Sequence, residues 1–378
     1  MSLIIFACAP LPPLGPVSMP GTAPDTIPEE HPLPSEQDTV KRQIINVGVG
    51  FEKDSAAIEC PEKKWEFKAG LEPGITEIET SGNCKYGGKT YRGSWAVLST
   101  DSGIAVINRL PVEDYLKGVV PHEIGRLKRD RFEASKAQAV AARTYTYSHM
   151  DSRKSQGFDI YADTRDQVYS GSDGEDSLTN EAIRATRDLV IKYNGNLIEA
   201  YYHSTCGGKT ETPEVWGQES KPYLVSVSDS AEGRAFCEPS RYIKWEEKFD
   251  KAKIADIFQK NAENARADKI FSFSKVEQIF ITEKFPSERI KTLVVFTDKG
   301  SFEVSGDRVR QLFARNGKSL PSSMFTVSQN KNDFTVNGSG FGHGIGMCQY
   351  GAMARAKAGQ TFEEILKAYY TGVTIEPY

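Results

Sequence analysis

Between Phe334 and Gly359 the chain reads FTVNGSGFGHGIGMCQYGAMARAKAG, with Gly338, Gly340, Gly342, Gly344 and Gly346 at alternate positions and His343 among them. Glycine reaches backbone angles closed to other residues and lets neighbouring chain come close. A run this dense is neither an ordinary strand nor an ordinary helix. Phe334–Val336 reads as the end of a strand, and an Ala-rich helix follows from about Met347 to Ala358. Strand, glycine turn, helix is also the order of a dinucleotide-binding loop. A P-loop is excluded at this run, because no Gly-Lys-Ser/Thr follows its glycines. Glu363 and Glu364 stand at a ribose-binding distance, but Thr361-Phe-Glu-Glu364 reads better as a capping box that opens a last helix.

The rest of the chain gives an α+β pattern. "IINVGVGF", "WEFKAG", "TEIET", "YRGSWAVLS" and "GIAVINRL" alternate as short strands do. Leu110-Pro111 then opens a helix in which Val112, Tyr115, Leu116, Val119 and Val120 form one apolar stripe. Pro121 should stop it, leaving His122 and Glu123 in a loop. A second helix, about Phe132 to Met150, carries a seam of Ala134, Ala137, Ala141, Thr144 and Ser148. Asn194-Gly195 marks a tight hairpin in "LVIKYNGNLIEAYYHSTCGG". Further on come a helix near 250–264, the hairpin "TLVVFTDKGSFEVSG" and the short helix "DRVRQLFARN". The expected organisation is 44–106 β-rich, 107–241 a catalytic core, 242–330 an α/β subdomain, and 331–378 the Gly-His-Gly turn with the C-terminal helices.

A net charge of −4 gives no nucleic-acid surface. Residues 1–8 resemble a partial lipoprotein signal, a short apolar run ending at Cys8, which would carry a lipid anchor. The 9–43 segment, with nine prolines between Ala9 and Pro34, is an extended linker. No other stretch is long and apolar enough to span a membrane. In an exported protein, Cys60 with Cys84 and Cys206 with Cys237 could form disulfides, leaving Cys348 over.

Several side chains could do chemistry. Cys206 and Cys348 each lie near a histidine, His203 and His343, but neither sits in a nucleophile motif. His203-x-x-Cys206 and His343-x4-Cys348 could together hold a structural zinc, although the spacing is not diagnostic. No other cofactor or metal is expected. Glu123 reads either as an exposed loop glutamate or, if its apolar neighbours enclose it, as a proton donor near neutral pH.

Five stretches carry a family resemblance: "YLKGVVPHEI…FEASKAQAVAARTYTY", "DTRDQVYSG", "EAIRATRDLVIKYNGNLIEAYYHSTCGGKTETPEVWG", "PYLVSVSD" and "GFGHGIGMCQYGAMARAKAGQTFEEILKAYYTG". In order and spacing they resemble the SpoIID/LytB family of sporulation stage II protein D and the amidase enhancers, over about residues 44–378. The resemblance implies a peptidoglycan lytic transglycosylase. Such an enzyme cuts the bond between N-acetylmuramic acid and N-acetylglucosamine in peptide-stripped glycan and leaves 1,6-anhydro ends. It implies Glu123 as the catalytic acid and base, with Arg143, His203, Ser204, His343, Gln349 and Tyr350 as substrate-binding residues.

Arg143 stays open between a groove ligand and a helix-packing arginine paired with a buried acid. His343 stays open between a groove wall and a satisfied core histidine. On the same footing the glycines let backbone pass close to a sugar chain, or make a tight structural crossing. The resemblance also allows a non-catalytic glycan-binding protein that enhances a cell-wall amidase. Both readings place the chain in the cell envelope with glycan strands as its partner. Cysteines found near "DTRDQVYSG" in some relatives are missing from this chain.

Overall fold

The computed structural model describes residues 43–70, 74–80 and 82–378. Cys8 and all of the 9–43 linker but its last residue lie outside them. The first layer is a five-stranded sheet ordered Gly74–Ile78, Ser94–Thr100, Gly103–Pro111, Ile44–Glu52 and Ile160–Tyr161. Beside it stands a four-stranded sheet of Lys64–Lys68, Ser55–Glu59, Cys84–Tyr86 and Lys89–Tyr91. Cys60 and Cys84 form the expected disulfide there.

Pro111 ends its strand and is the N-cap of α1 (Val112–Glu123), one residue later than the sequence suggested. The predicted stripe is the buried face: Val112, Tyr115, Leu116, Val119 and Val120 are each at most 2% exposed. Burying side chains of this size stabilises by about 1.5–3 kcal/mol each. The expected stop at Pro121 does not occur. The helix runs through it to Glu123, and the Ile124 N–H still reaches the Val120 carbonyl at 3.1 Å. A proline in the last turn forfeits one helical hydrogen bond, and the buried stripe on either side outweighs that loss.

One long helix follows the logic of small residues. α2 (Phe132–Ser148) has an unbroken buried stretch from Ala137 to Thr146 and packs on α1 and on α3 (Ser177–Ala185). The Asn194-Gly195 turn has φ of 49° and 77°, the double positive φ that two-residue hairpin turns require. Its first strand, Leu189–Tyr193, also pairs with the C-terminal strand Thr374–Pro377. Residues 249–336 enclose a second core around Phe249, Phe258, Leu293, Phe302 and Phe313, with α4 (Ile254–Asn261) and α5 (Val309–Leu312) against its sheets. The strands Phe325–Gln329 and Asp333–Gly338 join Trp245–Asp250 in one sheet, so the strand feeding the glycine run belongs to this second core.

After the glycines come α6 (Gln349–Lys357) and α7 (Phe362–Tyr369). The Thr361–Glu364 capping box that opens α7 is present as read. Tyr202–His203 pairs in parallel with Met347–Cys348, which brings residues 140 or more positions apart into one small sheet.

The glycine run is a tight crossing. Gly346 has φ of 69°, and a Cβ there would stand 2.0 Å from the Tyr201 carbonyl oxygen. At Gly344, φ 87°, it would meet the Arg289 guanidinium at 2.3 Å. The polar backbone is used internally: Gly340 N–H goes to Tyr242 O, Gly342 N–H to Pro321 O, and the Gly344 carbonyl takes Glu211 N–H. These groups are therefore used within the protein, which favours the tight structural crossing of the two readings.

Gly346→Ala and Gly359→Ala (φ 90°, no neighbour within 4 Å) share the same backbone penalty of about 1 kcal/mol. Only Gly346→Ala adds a collision with fixed backbone. Denaturant unfolding should show it losing at least about 2 kcal/mol more than Gly359→Ala.

Candidate active site

α1 delivers Glu123 as its last residue, beside the segment that follows Asp166. The Val168 N–H donates to Glu123 Oε1 at 2.8 Å. The Gln349 side chain, from the first turn of α6, also acts on the carboxyl. Tyr115 and Tyr202 lie close enough for a Glu123 charge to raise their own pKa values.

Burial dominates and pushes the Glu123 pKa from the usual carboxylate range up to about 7, against the Val168 and Gln349 hydrogen bonds, which favour the anion. A charge at the C-terminal end of α1 also faces the negative pole of that helix. The residue nevertheless keeps partial exposure. Its carboxyl is thus crowded by protein while the residue stays partly exposed. No charged side chain figures among the groups that shift it. Of the two readings of Glu123, the exposed loop residue is the one the structure rejects.

Gln167 is the organiser that sequence reasoning missed. Its Oε1 accepts the Thr146 hydroxyl at 2.9 Å and the Tyr115 hydroxyl at 3.2 Å. Its amide donates to the Ala142 carbonyl at 3.2 Å and to the Tyr202 hydroxyl at 2.9 Å. A fully buried amide with all these partners fixes the backbone of Val168, hence the hydrogen bond to Glu123. The signal was present in "DTRDQVYSG", a stretch matched only as part of a family pattern.

The remaining predicted residues fall into three groups. Gln349 lies against Glu123, and its amide also approaches Gln138 Oε1 at 3.4 Å. Ser204 and Tyr350 are partly exposed and adjacent, with Tyr350 N–H donating to the Ser204 carbonyl at 3.1 Å. These three residues and Glu123 are brought together.

His203 is buried, whereas His343 keeps partial exposure. His343 Nε2 donates to the Tyr202 carbonyl at 3.0 Å, and its Nδ1 accepts the Ile345 N–H at 3.1 Å. Both ring nitrogens are committed to backbone, and burial lowers its pKa to about 4, so the ring is a neutral staple across the crossing. His203 is buried, donates from Nδ1 to the Ile345 carbonyl at 3.1 Å, and has its pKa driven well down by burial. Satisfied backbone partners favour the core reading of His343 over a groove wall.

Arg143 belongs to neither group. It is fully buried, forms a paired contact with both Glu113 carboxylate oxygens at 2.6 and 2.9 Å, and donates to the Leu189 and Ile183 carbonyls. Glu113 lies ten residues before Glu123 on α1, about 15 Å away along the axis. Arg143 is therefore the helix-packing arginine, and its assignment to the substrate groove is withdrawn.

The cysteine and zinc readings also change. Cys206 and Cys237 are unbonded, with their sulfurs 3.5 Å apart, and Cys348 joins them. The histidines proposed to share zinc with Cys206 and Cys348 instead bond backbone carbonyls.

Comparison with known proteins agrees with this geometry. A family described as Stage II sporulation protein matches residues 100–193, which hold α1, α2 and Gln167. A domain of unknown function (DUF8618) matches residues 235–346, the region of the second core. An uncharacterised protein of Brachyspira hyodysenteriae is 30% identical over 310 residues, 80% of this chain and 76% of its own length. The stage II sporulation protein D of Bacillus subtilis is 30% identical over 71% of this chain and 75% of its own length. The amidase enhancer of the same organism is 33% identical over 70% of this chain, which spans only 40% of that relative. An α+β chain built around a buried glutamate, it belongs to the SpoIID family.

The raised Glu123 pKa has a consequence for stability. Between pH 4.5, its unfolded value, and about pH 7, the folded state binds more protons than the unfolded state. Stability should therefore fall as pH rises through that window. Glu123→Gln keeps the acceptor for Val168 and removes the penalty. Urea unfolding should find it gaining about 1–2 kcal/mol on the wild type between pH 4.5 and pH 8, after allowance for partial exposure. Arg143→Met, which leaves Glu113 unpaired, should cost about 3 kcal/mol at either pH in the same assay.

Proposed function

We propose that this chain is a peptidoglycan lytic transglycosylase with Glu123 as its single acid and base. The observation that carries the proposal is a lone glutamate, crowded yet partly exposed, with a pKa near 7 and no charged partner acting on it. A hydrolytic glycosidase uses two carboxylates, one to protonate the leaving oxygen and one to attack or to activate water. A lytic transglycosylase needs one.

Protonated Glu123 donates to the glycosidic oxygen as the bond to the muramic acid anomeric carbon breaks. The C6 hydroxyl of the same sugar attacks that carbon. Its proton passes to the Glu123 carboxylate, which restores the acid and closes a 1,6-anhydro ring. Val168 N–H holds the carboxyl in place throughout. Gln349, Ser204 and Tyr350 supply amide, hydroxyl and aromatic surface suited to acetamido and sugar groups.

The substrate under this reading is glycan stripped of stem peptides, and the setting is the cell envelope. The Cys60–Cys84 disulfide suits an oxidising compartment. Among the described residues no helix is long and apolar enough to cross a membrane. Attachment through an acylated Cys8 is part of the same proposal.

The amidase enhancer among the relatives supports a second reading, in which the chain binds glycan and stimulates an amidase without cutting it. Digestion separates the two. Purified protein incubated with stripped and intact strands should release anhydro-muramyl products from the stripped ones, read by mass spectrometry. Glu123→Gln should lower that rate by at least about a thousandfold while still binding glycan. Uncut strands that remain bound to wild-type protein would transfer the assignment to the enhancer. The rate should also decline above about pH 7, where Glu123 loses the proton it must donate.

A further inference from the structure

We infer that Cys206, Cys237, Cys348 and Asp229 form a structural site for one soft divalent cation of the zinc class. The inference does not depend on the catalytic reading. All four residues are buried, and one ligand atom from each lies within 4.8 Å of the others. The Cys206 and Cys237 sulfurs are 3.5 Å apart, and Cys206 Sγ is 3.2 Å from Asp229 Oδ2. A tetrahedron with zinc–sulfur bonds of 2.3 Å and a zinc–oxygen bond near 2.1 Å has edges of about 3.8 Å and about 3.6 Å. The cluster lies within a few tenths of an ångström of that shape along these two edges. Three sulfurs select zinc over magnesium or calcium, and four protein donors leave no open position, so the role is structural.

The surroundings supply what bound ligands need around them. Asp229 divides its oxygens. Oδ1 takes two hydrogen bonds from Arg355, at 3.0 and 3.1 Å, and one from the Tyr369 hydroxyl at 2.9 Å. Oδ2 is left facing the sulfurs. Anchoring one oxygen so that the other points at the metal is the usual outer-shell arrangement. Backbone N–H groups are aimed at sulfur: Cys206 at Cys348 Sγ (3.3 Å), Gly208 at Cys206 Sγ (3.3 Å) and Gly351 at Cys348 Sγ (3.4 Å). Such donors stabilise thiolates, the form that binds metal. The approach is close. A Cβ at Gly351 would stand 2.2 Å from Asp229 Oδ2. Arg355 adds a positive charge against the ligand set.

The ligands come from three places in the chain. Cys206 follows Ser204 at the Gly207-Gly208 turn, Asp229 and Cys237 flank a two-stranded hairpin, and Cys348 is the N-cap of α6. A metal there clamps the parallel pair Tyr202–His203 and Met347–Cys348, and so fixes Gln349 beside Glu123.

The test uses the full chain expressed with zinc in the medium. Elemental analysis should find about one zinc per chain. Alkylation in denaturant with chelator, followed by peptide mapping, should label residues 206, 237 and 348, which stay unlabelled in the native protein. Replacing zinc with cobalt should produce the strong near-ultraviolet absorption of sulfur-ligated tetrahedral cobalt. Asp229→Asn and Cys348→Ser should each lower metal content by at least about tenfold. Metal-free protein with the three thiols intact would overturn the inference. So would a Cys206–Cys237 disulfide, seen as a mass two hydrogens lighter.

Discussion

A carboxyl group placed at the last residue of a buried helix sets the terms for the rest of this structure. Glu123 cannot be solvated as an exposed glutamate is, because α1 brings it in with an apolar stripe fully packed behind it. It cannot be neutralised by a nearby cation either, since none acts on it. What remains is to hold the proton until near-neutral pH, and the Val168 N–H and Gln349 amide moderate that tendency without removing it. A fold that tolerates such a group accepts a loss of stability near neutral pH. Much of the surrounding architecture, from the Gln167 network to the Arg143–Glu113 pair at the other end of α1, keeps the helix end where that group has to be.

The surroundings of Glu123 are completed by contacts between distant parts of the chain. The parallel pair of residues 202–203 with 347–348 carries Ser204, Gln349 and Tyr350 to one place. The glycines on the way permit the approach, and His343 locks it by bonding both Tyr202 and Ile345. The histidine that looks most chemical in the sequence therefore works as a structural staple. The three thiols and Asp229 lie directly beneath the same junction, which is why a metal there would bear on the position of Gln349.

Local signals were legible where local physics decides. The α1 stripe, the Asn194-Gly195 turn, the Thr361–Glu364 capping box and the Cys60–Cys84 pair are all short-range patterns, and each appears in the structure. Pro121 was misread because a general rule about helix ends met a helix whose buried face outweighs one lost hydrogen bond. Arg143 stayed open between ligand and packing arginine because Glu113, which occupies it, lies on another helix. Gln167 and Asp229 were illegible for the same reason. Their partners lie at Thr146 and Tyr202, or at Arg355 and Tyr369, and no spacing in the sequence announces those meetings. The family pattern singled out Glu123 and Gln349, which the fold places side by side, but it could not say which of its residues pack internally, as Arg143 does.

The proposed mechanism depends on the protonation of one side chain, and that can be measured without substrate. Carbon-13 NMR of protein labelled at glutamate side-chain carboxyls, with Glu123→Gln to assign the signal, would follow the titration directly. A midpoint near pH 7 is the predicted result. A midpoint near the ordinary value of 4.5 would mean that the group is ionised at neutral pH, and would contradict the proposed role of proton donor.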